Sequence, residues 1–128
     1  MKAFTANGEI YCAPKDFSTL ALVINTDIWK GAGLTDADIP KTWDELDAVA
    51  RKLSAGKTAG LAFGPQVERI GAFFPQAGGS MMSADGKTAT VNSPENVQAL
   101  TFVKKMLTDG RIWVQAGVER PSATVWQQ

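Results

Sequence analysis

Helix-start signals, each followed at a helical distance by a glycine, cut this chain into short segments, and the stretches between them are short and apolar. Thr42-Trp43-Asp44-Glu45 forms a capping box, in which the Thr42 hydroxyl accepts from the Glu45 amide and the Glu45 carboxylate reaches back to the Thr42 amide. Trp43, Leu46, Ala50 and Leu53 then fall on one helical face with Val49 beside them, and Gly56 ends the helix. Ser93-Pro94 is an N-cap followed by proline at the first helical position. Val97, Leu100, Val103, Met106 and Leu107 give that helix an apolar stripe, and Gly110 stops it. Asn25 or Thr26 caps a short helix that runs through Trp29 to Gly33. A further helix runs to the Gly78-Gly79 pair. These signals predict helices over 26–32, 42–55, 67–77 and 93–109.

The intervening apolar runs predict strands over 9–13, closed by Pro14, over 20–25 and over 59–63. The run over 20–25 carries no charge and reads as a buried strand. Asp85-Gly86 supplies the positive-φ positions of a hairpin turn, with 88–91 returning. Residues 121–128 read as the beginning of another helix. The expected fold is α/β and helix-rich. Its expected core holds Leu22, Ile24, Leu46, Leu53, Leu61, Leu100, Val103 and Leu107.

Composition matters mainly for what it excludes. The 128 residues suit one domain, and 13 basic residues balance 13 acidic ones, so there is no basic footprint for nucleic acid. No apolar run approaches the ~18 residues of a membrane span. There is no histidine, which removes Ser-His-Asp and Cys-His triads, histidine bases and histidine metal ligands together. The single cysteine, Cys12, excludes an internal disulfide and reads as a buried, inert thiol. The Asp85-Gly86 turn lacks the alternating acidic ligands of a calcium loop. No metal, cofactor or catalytic residue is expected. Residues 1–5 lack the apolar region and cleavage pattern of a signal peptide, so the polypeptide as written is expected to stay in the cytoplasm.

The order of the pieces carries more than any one of them. Gly8, Tyr11 and Pro14 precede an apolar strand ending in Asn25 and Asp27. Then come Ala32-Gly33-Leu34, the helix opened by Pro40 to Leu46, Gly78-Gly79, Asp85-Gly86-Lys87, Ser93-Pro94-Glu95 and Asp109-Gly110. This succession resembles the middle of a family-1 extracellular solute-binding protein of an ABC importer, the sugar and maltodextrin type. The resemblance implies part of a periplasmic-binding-protein-like second lobe with a hinge strand. Residues 1–19 would be the hinge segment, 20–112 the partial lobe and 113–128 a truncated tail. It implies a carbohydrate ligand, an ABC permease as partner, an extracytoplasmic parent family and no catalysis. A single lobe would bind sugar weakly or not at all. The alternative is a standalone domain derived from such a lobe that self-associates as a homodimer through its first residues.

A sugar site needs a flat aromatic or apolar surface and a few fixed polar partners. The resemblance places two loops at the cleft between lobes. In the first, Asp16 and Ser18 would bond hydroxyls and Phe17 would stack; Asp16 and Ser18 equally suit a tight turn, satisfying backbone amides. In the second, Gln66 and Glu68 carry the polar part of the family pattern, while Arg69 stands where the maltodextrin branch has an aromatic. Glu68 equally suits an acidic first turn facing the helix dipole. A glycosidase built on Asp16 and Glu68 would need their carboxylates about 5 Å apart for retaining chemistry, and nothing in the spacing points to that. Trp29 and Trp43 read as helix anchors rather than sugar platforms, and at least one of Phe73 and Phe74 as buried.

Overall fold

The computed structural model describes residues 4–13, 15, 18–56, 58–114 and 124–127. A small hairpin pairs β1 (Thr5–Ala6) with β2 (Glu9–Ile10). Its turn is Asn7-Gly8, with φ of 51° and 84°, the double positive φ that a two-residue hairpin turn requires. The predicted strand 9–13 therefore stops at Ile10. Cys12 is exposed, not buried: it follows directly on a hairpin whose own strand residues are exposed.

The main sheet has the order β3-β6-β4-β5. β3 is Ala21–Ile24, β4 Leu61–Phe63, β5 Ile112–Val114 and β6 Thr124–Gln127. β3 runs antiparallel to β6, with Ala21 opposite Gln127 and Ile24 opposite Thr124. β6 and β5 both run parallel to β4. The helix predicted over 121–128 is thus a strand where it is described; residues 121–123 and 128 lie outside the described residues. Thr124, Val125 and Trp126 suit a strand, and the slot between β3 and β4 takes one. β3 is an edge strand rather than a buried one. Leu22 and Ile24 pack inward and are half-buried, while Ala21 and Val23 face out, the alternation of an edge strand covered on one side.

The described residues form five α-helices around the sheet: α1 (Thr26–Gly31), α2 (Trp43–Leu53), α3 (Val67–Gly71), α4 (Phe73–Gln76) and α5 (Pro94–Thr108). α1 is capped by the Asn25 side chain, which accepts from the Asp27 and Ile28 amides. α2 forms as its capping box dictates: Thr42 Oγ1 accepts from Glu45 N at 3.2 Å and Glu45 Oε2 from Thr42 N at 3.1 Å. Glu45 Oε2 also accepts from the Lys41 amide at 2.7 Å, and that bond leads in holding the carboxyl below its ordinary value. α2 lies directly on β4. A Cβ at Gly60 would stand 2.0 Å from the Ala50 carbonyl oxygen, so only glycine allows the approach.

The helix predicted over 67–77 is broken in two. Pro75 has no N–H to give the Gly71 carbonyl, so the ladder restarts at Phe73 with Pro75 in its first turn. α5 buries Asn96, Ala99, Val103 and Met106. Leu100 and Leu107, expected in the core, are 42% and 47% exposed. At 100° per residue both lie on the flank of the buried face, and the apolar arc of this helix is wider than the surface that covers it.

The larger core joins Leu61 and Phe63 of β4 to Leu46, Phe73, Phe74, Met106 and Ile112. Trp43 stacks on Phe102 at 4.7 Å and donates from Nε1 to Gln76 Oε1, so it anchors α2 to α4 and α5. A smaller cluster packs Trp29, Leu34 and Leu53, with Trp29 Nε1 donating to the Thr35 carbonyl. On the other flank Asp47 of α2 binds Arg111, Arg51 and Lys105, while Asp109 binds Lys105 and Arg111. This network ties α2 and α5 to the entry of β5.

Candidate functional site

The sheet has one edge at which several loops converge. β4 and β6 both end there, and β3, running the other way, begins there; the pairings of Ala21 with Gln127 and of Ala62 with Val125 fix this. From β4 the chain crosses over α3, α4 and α5 to β5 on one side, then returns to β6 on the other. The direction of strand addition therefore reverses between β4 and β6. Loops leaving the carboxyl ends of strands diverge at such a switch point, and the crevice they leave is where open α/β sheets bind ligands.

Ser18 and Thr19, leading into β3, and Gly64-Pro65-Gln66, leaving β4, issue from this edge. Ser18 is exposed. Asp16 and Phe17 lie outside the described residues. Gln66 is exposed at the N-cap of α3 and makes no side-chain cap bond. Its side-chain amide instead folds over buried Gly64, where a Cβ would stand 2.0 Å from Gln66 Oε1. The Gln66 carbonyl accepts from the Arg69 and Ile70 amides, which starts α3. Glu68 is exposed in the first turn of α3, and Arg69 is half-buried beside it.

Glu68 borders a groove of about 470 Å³. Its floor is Phe74 and Pro75 of α4, its near wall Val67, Glu68 and Gly71 of α3, and its far wall Gly79, Ser80 and Met81. The structure thus sets Glu68 at the rim of a mainly apolar groove, whose lining does not include Gln66. Sequence reasoning missed Met81 and the floor. The available signal was Gly78-Gly79, which does more than stop a helix. With φ of 83° at Gly78, the chain turns back along α4 and delivers Ser80 and Met81 to the groove.

A larger cavity, about 670 Å³, lies between α1 and the single 3-10 turn Asp36–Asp38, with Ile24, Trp29 and Leu34 in its lining. Ile24 ends β3 opposite Thr124, the start of β6, which places this cavity at the other edge of the sheet, away from the switch point. The carboxyls held below their ordinary values are held by local structural bonds; Asp38, in the turn that borders this cavity, is held chiefly by the Thr35 amide. Asp85 is held chiefly by the Ser83 hydroxyl in its turn, and Asp109 chiefly by Lys105. For Asp47, burial works to raise the value, and the bonds from Arg111 and Arg51 outweigh it. Among the described residues no group of three or more His, Cys, Asp or Glu side chains is placed to hold a metal ion. No helix among them is long and apolar enough to cross a membrane.

Comparison with known proteins identifies the family. The family described as bacterial extracellular solute-binding protein matches residues 1–125. A probable ABC transporter-binding protein of Deinococcus radiodurans is 31% identical over 96% of this chain and 32% of its own length. The sn-glycerol-3-phosphate-binding periplasmic protein of Salmonella typhimurium is 33% identical over 81% of this chain and 26% of its own. Among solved structures, an ABC substrate-binding protein from Listeria monocytogenes in complex with cycloalternan superimposes with a TM-score of 0.82 at 27% identity. It covers 98% of this chain, which spans 36% of that protein. The chain therefore spans about a third of the length of the relatives it matches.

Proposed function

The chain belongs to the bacterial extracellular solute-binding proteins, and from that premise we propose that it is the ligand-contacting part of one lobe of an ABC importer's receptor, taking a carbohydrate at the carboxyl edge of its sheet and performing no catalysis. The relatives it matches are binding proteins, not enzymes. The observation that supports the reading is the apolar groove floored by Phe74 and Pro75 with Glu68 at its rim, on the helices that follow the carboxyl end of β4. Residues 20–112 supply the lobe and 1–19 the hinge segment in this reading. An ABC permease is the partner of the whole receptor, outside the cytoplasm as the family's description implies. In this reading Glu68 and Asp16 accept hydrogen bonds from sugar hydroxyls, Gln66 and Ser18 donate and accept them, and Phe17 stacks on the ring. Arg69, half-buried beside Glu68, is a further candidate to bond the ligand's hydroxyls.

One lobe offers one wall of a cleft, so affinity is weak. Losing about 4 kcal/mol of contacts takes a micromolar binder to the millimolar range. The test is a titration of the ¹⁵N-labelled chain with maltose at millimolar concentrations, followed by amide shifts. Shifts confined to Ser18, Gln66, Glu68 and Met81, and lost in Glu68→Ala, are expected. Shifts scattered over α2 and α5, or stronger binding of sn-glycerol-3-phosphate at the same amides, reject the carbohydrate reading.

The second reading is self-association. It is favoured by Phe4, Ile10 and Tyr11, which are 36%, 60% and 65% exposed on the β1–β2 hairpin. A lone two-stranded ribbon with apolar side chains in water gains by pairing with a second copy.

A further inference from the structure

The far wall of the groove, Gly79 to Met81, is not part of the sheet; it is one leg of the hairpin that turns at Asp85-Gly86. We propose that Asn96 is a positioning residue for this groove: from inside the fold it fastens both legs of the hairpin and so sets Ser80 and Met81 against α3. The proposal rests on reading the groove as the ligand-contacting surface.

Asn96 lies in the first turn of α5 and is fully buried. Its Nδ2 donates to the Ser80 carbonyl at 2.8 Å on the outgoing leg, and to the Thr90 and Val91 carbonyls at 3.1 and 3.2 Å on the returning leg. Thr90 completes the knot. Its Oγ1 donates to the Ser80 carbonyl at 2.8 Å and its amide to the Met81 carbonyl at 3.0 Å. Met81 thus has bonded backbone neighbours on both sides, and its side chain takes its place in the groove from them.

The chemistry of the position is narrow. The side-chain amide offers two N–H donors at the end of a short arm, and the three carbonyls accept them. The reversed amide would set an oxygen against three oxygens. The price is Oδ1, which is buried and meets no donor among the described residues. It lies against Gly79, where a Cβ would stand 2.1 Å from it. The other buried residues of this face are Ala99, Val103 and Met106. An apolar residue would suit such a face better by itself, because an orphaned buried acceptor opposes stability. What the amide gains is the fixed place of the hairpin.

The test is amide hydrogen exchange on the ¹⁵N-labelled chain and on Asn96→Ala. Exchange at Ser83 and Thr90, the amides bonded across the hairpin, should accelerate on the order of 10- to 100-fold. Leu61 in β4 should change by less than about threefold, and the Met81 and Glu68 resonances should shift. Thr90→Val is the second variant; it unties the knot from the hairpin side while keeping the shape of the core, and should give the same local pattern. Equal acceleration at Leu61 and Thr90 in both variants would show Asn96 to be a general core residue and overturn the proposal. Unchanged exchange at Ser83 and Thr90 would do the same. These arms need no ligand. Maltose shifts at Met81 that vanish in Thr90→Val tie the latch to the site, whereas absence of maltose binding in the unaltered chain counts against the proposed function and leaves the exchange result standing.

Discussion

Replacing Met106 by alanine, with Leu100→Ala beside it, weighs the two flanks of α5. Met106 is fully buried on the core face of α5, in one cluster with Leu61, Phe63, Phe73 and Ile112. Truncation removes roughly three carbon-sized groups from that core, about 2 kcal/mol of transfer energy at ~0.8 kcal/mol each. A residual cavity of about 50 Å³ adds about 1.2 kcal/mol at ~24 cal/mol per Å³. The sum, about 3 kcal/mol, lies inside the ~2–5 kcal/mol range for such truncations. Leu100 is 42% exposed, and alanine is the better helix former, so its loss should stay under about 1 kcal/mol. Urea unfolding followed by circular dichroism separates the two. With a slope of about 1.5 kcal/mol per M, the midpoint should fall by about 2 M for Met106→Ala and by less than about 0.7 M for Leu100→Ala. Equal losses, or a larger loss at Leu100, would mean that α5 is rotated relative to the sheet and that the packing described above is wrong.

Two further outcomes follow from polar and exposed groups. Asp47→Asn strips Arg111 of its best partner while leaving Asp109, and should cost roughly 1–3 kcal/mol near neutral pH. Because the folded Asp47 carboxyl lies below its ordinary value, its contribution is present above the unfolded value of about 3.9 and is lost as pH falls through the lower folded one. Stability measured from pH 7 to 2 should therefore fall less steeply below about pH 4 in Asp47→Asn than in the unaltered chain; parallel curves would contradict the assignment. For self-association, sedimentation at high micromolar concentration should show dimer for the full chain and monomer after deletion of residues 2–13. A full chain that stays monomeric leaves only the receptor reading.

What the sequence shows and what it hides divide along physical lines. α2 was legible to its caps, because Thr42 and Glu45 act within one turn and Leu46, Ala50 and Leu53 are set by periodicity alone. α5 was legible as a helix, but its buried flank was not. Periodicity gives the width of an apolar arc, not which part a neighbour covers, and Asn96 at the buried centre looks like a surface residue until the hairpin carbonyls are in place. β6 failed for a related reason. Thr124-Val125-Trp126 is too short for periodicity to decide, and its place is settled by strands far off in the chain. At the site, Gln66 and Glu68 could be picked out because Gly64-Pro65 breaks the chain straight after an apolar strand. The wall carrying Met81 could not, since it arrives through a glycine turn whose direction local sequence does not state.

The position of β6 governs the order in which this fold can assemble. Among the described residues β3 pairs only with β6, and Ala21 meets Gln127 across roughly a hundred residues of intervening chain. α2, β4, α5 and β5 can gather around Leu61 and Met106 through contacts much closer in sequence. β3 meanwhile has no ladder partner among the described strands. Closure over so long a loop is slow relative to local helix formation. During synthesis the chain therefore passes through a stage in which a half-apolar strand and one side of β4 stand open together. Each is a template for the wrong partner until the strand that belongs between them arrives.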